Sequence, residues 1–124
     1  KRAGIAVSDI DYVNAHGTGT TDNDRAEGRA LQHLFGDAVP PVSSTKRVFG
    51  HTLGAAGAIE AVACILAMRD GFLPGTPGLV DPDPECAILP LRETRSDDAR
   101  VVLSNSFGFG GNNSCLCLGR ADSR

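Results

Sequence analysis

The sequence predicts an α/β fold from three observations. Residues 10–14 and 101–105 are β-branched and aromatic runs of strand length, residues 21–35 and 53–69 carry helical spacing, and polar glycine-rich turns separate the two kinds of element. In chain order, Ile-Asp-Tyr-Val-Asn at 10–14 reads as a short strand running directly into Ala15-His16-Gly17-Thr18-Gly19-Thr20, so His16 stands where a strand ends. Thr21 and Asp24 have the spacing of a capping box, and Ala26, Ala30, Leu31, Leu34 and Phe35 then recur at helical intervals up to Gly36. That segment reads as one amphipathic helix. Pro40-Pro41 breaks the chain, residues 42–45 form a brief strand, and residues 46–52 read as a loop with His51 at its far end. The second helix, residues 53–69 with Gly71 as its stop, is small or apolar on every face except at Glu60, and is therefore predicted to lie inside a larger structure. Residues 72–90 hold most of the prolines and read as an irregular excursion. Two strands, 101–105 and 114–118, flank the loop Phe107-Gly108-Phe109-Gly110-Gly111. No repeat or linker divides residues 1–124, which read as one unit.

Composition excludes several classes of function. A formal charge of −3 with no run of lysines or arginines gives no footprint for nucleic acid or an anionic membrane. The longest apolar stretch, residues 53–68, contains Glu60 and is too short and too rich in glycine and alanine to span a bilayer. Lys1-Arg2-Ala3-Gly4 reads as the tail of a helix rather than a targeting signal, so a cytoplasmic protein is expected. The four cysteines, Cys64, Cys86, Cys115 and Cys117, form no C-x-x-C pair and are expected to be reduced. Cys115 and Cys117 share one face of a strand and read as two small buried side chains; no histidine lies at ligand spacing, so no metal is expected.

Three turns concentrate the reactive residue types: residues 16–20, 46–51 and 106–113. Turns at strand ends meet on one rim of an α/β sheet, where active sites form. A lone histidine on a turn more often satisfies local hydrogen bonds, but two of them, His16 and His51, shift the reading toward chemistry. His51 precedes a helix whose amide end favours developing negative charge. Glu60 in an apolar helix requires a partner, and Lys46 is the natural one, as a structural pair or as a pair that also orients or tunes His51. The glycines of the 107–111 loop suit close approach of backbone to a ligand, with amides able to donate to an oxyanion and Phe107 or Phe109 as a wall or gate. Gly50, Gly54 and Gly57 at a helix entry leave a nucleotide-binding α/β module as a remote alternative, although no strand with a terminal acid follows.

The segments Val13-Asn14-Ala15-His16-Gly17-Thr18-Gly19-Thr20, Ser43-Ser44-Thr45-Lys46 through Gly50-His51-Thr52-Leu53-Gly54-Ala55-Ala56-Gly57-Ala58-Ile59-Glu60, and Asn105-Ser106-Phe107-Gly108-Phe109-Gly110-Gly111-Asn112-Asn113 resemble the discrete elongating β-ketoacyl-[acyl-carrier-protein] synthases of bacterial type II fatty acid synthesis. The resemblance runs along the whole chain and covers the last third or so of such an enzyme. It implies a thiolase-like fold of two α/β halves stacked in alternating helix and sheet layers, this chain being the C-terminal half. It also implies a Cys-His-His site. The cysteine takes an acyl group from a carrier-protein phosphopantetheine, malonyl-carrier protein loses carbon dioxide, and the carbanion attacks the acyl thioester. On that reading His16 and His51 are the two active-site histidines, Lys46 is the motif lysine and Glu60 its acidic companion. The amide of Phe109 joins that of the cysteine in the oxyanion hole, Phe109 gates the acyl pocket between Gly108 and Gly110, and Thr18 and Thr20 hydrogen-bond the pantetheine arm. No cofactor is implied beyond the carrier's phosphopantetheine. The implied partners are acyl carrier protein and, for the full-length protein, a second copy or a chain-length factor.

The sequence departs from the family in two places. None of Cys64, Cys86, Cys115 or Cys117 sits on a nucleophile turn, so the cysteine of the site is expected in an N-terminal half outside this chain. Asn112 stands where threonine is common, which leaves open fatty acid, polyketide and aryl polyene substrates. His51 separates the chain from initiating synthases, which carry asparagine there. Thr52 separates it from thiolases, and Leu53-Gly54-Ala55-Ala56-Gly57 from modular polyketide ketosynthases. A non-catalytic chain-length-factor subunit is the alternative, disfavoured by retention of both histidines, Lys46 and the glycine loop.

Overall fold

A computed structural model of the chain describes residues 3–121. Of the helix tail expected at residues 1–4, Lys1 and Arg2 lie outside the described residues and Ala3 is in a turn. The elements, in order, are β1 (Tyr12–Asn14), α1 (Thr21–Phe35), β2 (Val42–Ser43), the single-turn α2 (Lys46–Phe49), α3 (Ala56–Asp70), β3 (Phe72–Leu73), β4 (Arg95–Ser96), β5 (Val101–Phe107) and β6 (Asn113–Gly119). Short 3-10 turns occupy Val7–Asp9, Leu53–Ala55 and Phe109–Gly111.

The main sheet runs β2-β1-β5-β6. β1 is parallel to both its neighbours, pairing Val13 with Val42 and Leu103, and Asn14 with Ser43 and Ser104, while β5 and β6 form an antiparallel hairpin. A central parallel strand is covered on both faces, and β1 is buried throughout. Its side chains alternate between two cores. Tyr12 packs with Cys64, Met68, Leu73, Ala99 and Val102 under α3, whereas Val13 and Ala15 pack with Leu31, Phe35 and Val42 under α1.

Three local expectations need correction. The buried stripe of α1 is Glu27, Gly28, Leu31 and Phe35, while Ala26, Ala30 and Leu34 face outward. The rotation follows from Gly28, where a Cβ would approach the backbone nitrogen of Ala87 to 3.3 Å, so the helix docks on its glycine and not on its alanines. The helix is capped at Thr20 with no side-chain hydrogen bond, and Asp24 Oδ1 instead accepts the N–H of Gly19 at 3.3 Å, so no capping box forms at Thr21. Residues 46–49, expected as loop, wind into α2 because the N–H groups of Val48 and Phe49 both reach the Thr45 carbonyl, at 2.9 and 3.1 Å.

α3 begins after a 3-10 turn, three residues later than expected, and stops at Gly71, whose φ of 71° is the left-handed geometry of a glycine C-cap. It buries Ala56, Glu60, Cys64, Ala67 and Met68. The opposite face is bare: Val62 and Ile65 are half exposed and Leu66 is also open to solvent. The helix expected to lie inside a larger structure is thus covered by the described residues on one side only. Cys115 and Cys117, expected to be buried, are exposed, because β6 is the edge strand of the sheet. All four cysteines are free thiols, and burial pushes the Cys64 thiol up to about 11.

An uncovered stripe of large apolar side chains on α3 favours association of the isolated chain. Expressed alone, residues 1–124 are expected to bind a hydrophobic dye and to sediment as aggregates, and a Val62→Ser/Ile65→Ser double variant is expected to reduce both. A monomeric wild-type chain that unfolds cooperatively and leaves the dye dark would refute this.

Candidate active site

His16 is placed by the end of β1 and by a turn that only glycine completes. The Ala15 N–H donates to the Ser43 carbonyl at 2.8 Å, and Gly17 follows at φ 42°. A Cβ on Gly17 would lie 2.5 Å from Cβ of Ser44, so the close approach of the two turns demands its absence. The turn is clamped from α1 by Glu27, whose buried carboxylate accepts the N–H of His16 at 2.9 Å, the N–H of Gly17 at 2.9 Å and Nδ2 of Asn105 at 3.0 Å. Sequence reasoning missed this residue. The available signal was a carboxylate on the same helical stripe as Leu31 and Phe35, which needs strong donors to be buried there.

The rings of His16 and His51 meet edge to face, with centroids 5.5 Å apart and planes at 89°. Phe107 closes the third side, its ring centroid 5.4 Å from that of His16. Phe109, the expected gate, is 105% exposed and stands clear of the rings, so Phe107 is the aromatic wall of the site in this chain. His51 accepts the Leu53 N–H on Nδ1 at 3.3 Å, which leaves Nε2 to carry a ring proton. Leu53 does this at φ 52°, a left-handed conformation costing a non-glycine residue about 1–2 kcal/mol. His16 is buried, its Nδ1 without a partner among the described residues. Burial, then the charge of Lys46, then His51 pull its pKa down to about 4, with Asp24 opposing, so the ring is neutral at physiological pH.

The expected pair of Lys46 and Glu60 is present, Nζ of Lys46 donating to Oε1 of Glu60 with both side chains buried. α2 presents the lysine and α3 the carboxylate, closing the floor of the site between the two helices. The charge of Lys46 also reaches His16, whose pKa it helps to lower after burial. Thr18 and Thr20 share a hydroxyl hydrogen bond of 2.9 Å at the rim. An open groove of about 670 Å³ runs from Gly17, Thr18 and His51 to the excursion at Leu79 and Pro82. Across the site, Gly108 donates its N–H to the Asn112 carbonyl at 3.1 Å, and Gly110 turns the loop at φ 78°.

The family described as beta-ketoacyl synthase, C-terminal domain, matches residues 1–79, well over half of the chain. This chain belongs to that family. It is 49% identical over 121 residues to 3-oxoacyl-[acyl-carrier-protein] synthase 2 of Coxiella burnetii, covering 95% of this chain and 29% of the relative. Among solved structures, the ishigamide ketosynthase/chain length factor superposes with a TM-score of 0.91 at 41% identity, covering 96% of this chain and 30% of that one. The ketosynthase of a type II polyketide complex with its acyl-carrier protein also gives a TM-score of 0.91, at 32% identity, over 97% of this chain and 30% of that one. The chain spans less than a third of the length of each of these proteins. Its fold is the C-terminal half of a thiolase-like fold, which replaces the nucleotide-binding alternative.

Two outcomes follow for the full-length protein. Lys46→Met strands the buried Glu60 carboxylate and is expected to destabilise the fold by about 3–5 kcal/mol, with Lys46→Met/Glu60→Gln recovering much of the loss in chemical denaturation. Equal stability of the two variants would remove the case for a buried charge pair. His16 is expected to titrate near 4 in a histidine NMR titration. Because the unfolded chain takes up this proton near 6.5 and the folded chain does not, the neutral ring favours folding fully above that pH, and the contribution is lost as pH falls toward 4. His16→Gln should flatten the stability profile within that window.

Proposed function

We propose that this chain supplies the two-histidine half of a Cys-His-His site that catalyses decarboxylative condensation of an acyl thioester with malonyl-acyl carrier protein. The observation that carries the reading is the edge-on pair of imidazoles, His16 and His51, beside Phe107 and above a buried Lys46–Glu60 pair. His51 offers its Nε2–H and His16 its own ring N–H to the malonyl thioester oxygen. When the carboxylate carbon leaves as carbon dioxide, its bonding electrons pass into the enolate, and two fixed donors stabilise that oxygen most where charge develops. The enolate carbon then attacks the acyl carbonyl on the cysteine of the N-terminal half. A carbon–carbon bond forms, the carbon–sulfur bond breaks, and the thiolate leaves. In this reading the backbone N–H of Phe109, on the turn between Gly108 and Gly110, completes the oxyanion hole for that second step, and Phe109 covers the acyl pocket once the other half is in place.

Thr18 and Thr20 stand where the pantetheine arm would enter. Substrates arrive on carrier phosphopantetheine and the chain needs no cofactor of its own. The synthase works in the cytoplasm with acyl carrier protein and with a second synthase-like subunit, either a copy of itself or a chain-length factor. The similarity to a solved ketosynthase in complex with its acyl-carrier protein supports the first partner, and a similar ketosynthase/chain length factor supports the second.

In the full-length protein, His16→Ala and His51→Ala are expected to lower carbon dioxide release from malonyl-carrier protein by roughly 100-fold or more, with a smaller effect on cysteine acylation. Near-normal release by both variants would overturn the assignment.

A further inference from the structure

We infer that Asn14 is a positioning residue whose side-chain amide sets the Lys46 turn against the His16 turn. The inference rests on the functional reading above and adds a residue that touches no substrate. Asn14 is fully buried at the end of the central strand, where an apolar residue would be the ordinary choice, so its amide must be held by specific partners. Its Oδ1 accepts the Thr45 N–H at 3.0 Å, while its Nδ2 makes only a long contact of 3.5 Å with Oγ of Ser104. The Thr45 bond is therefore the stronger one.

That bond fixes the entry to α2. The helix is one turn long, and its own hydrogen bonds run to the carbonyls of Ser44, Thr45 and Lys46, leaving the Thr45 N–H to be held from outside. Lys46 is its first residue and reaches Glu60 on α3. Two residues along the chain from Asn14, and on the same side by strand alternation, comes His16. One amide thus ties the peptide before the lysine to the strand that delivers the histidine. A displacement of about 1 Å at such a joint is enough to misplace reacting groups.

The bond can be broken from either side in the full-length synthase. Asn14→Ala removes the acceptor, and Thr45→Pro removes the donor at a φ of −70°, which a proline ring accepts. Ser104→Ala, which removes the weaker Asn14 contact together with a contact to the Cys64 thiol and leaves the Thr45 bond intact, is the control. Both Asn14→Ala and Thr45→Pro are expected to lower kcat for malonyl decarboxylation roughly 10- to 100-fold, with KM and cysteine acylation within about twofold of wild type. The NMR midpoint of His16, which faces Lys46, His51 and Asp24 and whose backbone is held by Glu27, is expected to rise from about 4 as the lysine charge shifts away. Ser104→Ala is expected to keep both kcat and the midpoint. Activity losses in Asn14→Ala that match Ser104→Ala at equal stability would overturn the inference, as would failure of both Asn14→Ala and Thr45→Pro to fold, since either result makes the amide structural. If His16→Ala and His51→Ala both still release carbon dioxide normally, the functional reading fails instead; if both are inactive and Asn14→Ala is not, only the role of Asn14 fails.

Discussion

The parallel pairing of β1 with both β2 and β5 is the constraint on which the site depends. Parallel strands end on the same edge of a sheet, so the residues that follow three separate strands must arrive together there. His16 follows β1, Lys46 follows β2, and the loop beyond Phe107 follows β5. An antiparallel partner on either side of β1 would have sent one of these turns to the opposite edge. The short length of β1 and β2 is part of the same arrangement: three and two residues of ladder leave the turns within van der Waals reach, as the Gly17 and Ser44 contact demands.

Charge is then buried where it organises this edge. Glu27 and the Lys46–Glu60 pair place two carboxylates and one ammonium out of water, an expense that a fold selected for stability alone would avoid by apolar replacement. Each carries donors that neutralise part of the cost. Glu27 accepts two backbone N–H groups and one side-chain amide, which converts a flexible glycine turn into a fixed one. The Lys46–Glu60 pair locks α2 to α3, while burial first and the charge of Lys46 second keep His16 neutral. A neutral imidazole has one N–H to give and no charge to neutralise, which suits stabilising a developing oxyanion without protonating it outright.

How much of this was legible in the sequence depended on whether the signal was local. The strand ahead of His16, the glycine stop at Gly71, the hairpin around residues 107–113 and the pairing of Lys46 with Glu60 follow from propensity or from the expense of a lone buried charge, and the structure has each of them. The errors arose where tertiary contact decided. An apolar tally placed Ala26, Ala30 and Leu34 on the inner face of α1, but docking at Gly28 turned Glu27 inward instead. Residues 46–49 lack helical periodicity because one turn is too short to have any, and Phe107 and Phe109 were indistinguishable until the strand ending at Phe107 aimed its ring at His16. Cys115 and Cys117 were placed inside because strand cysteines usually are, whereas edge position left them exposed.

The exposed face of α3 and the incomplete chemistry point to the same complement. The helix buries one stripe, including Glu60, against the sheet and leaves Val62, Ile65 and Leu66 uncovered, while the two-histidine edge of that sheet has no nucleophile opposite it. The cysteines within the described residues cannot fill the role. Cys64 is on the buried face of α3 with its thiol pushed up to about 11, the opposite of the depressed pKa that an acyl-accepting thiolate needs, and Cys86, Cys115 and Cys117 belong to the excursion and the edge strand. A second α/β layer packed on α3 would cover the apolar stripe in the same movement that brings a cysteine turn toward His16 and His51, because both features lie on the α3 side of the sheet. Under the proposed function, burial and catalysis are then satisfied by one interface, and the apolar side chains that make the isolated chain prone to associate are the ones that would hold its site together in the complete protein.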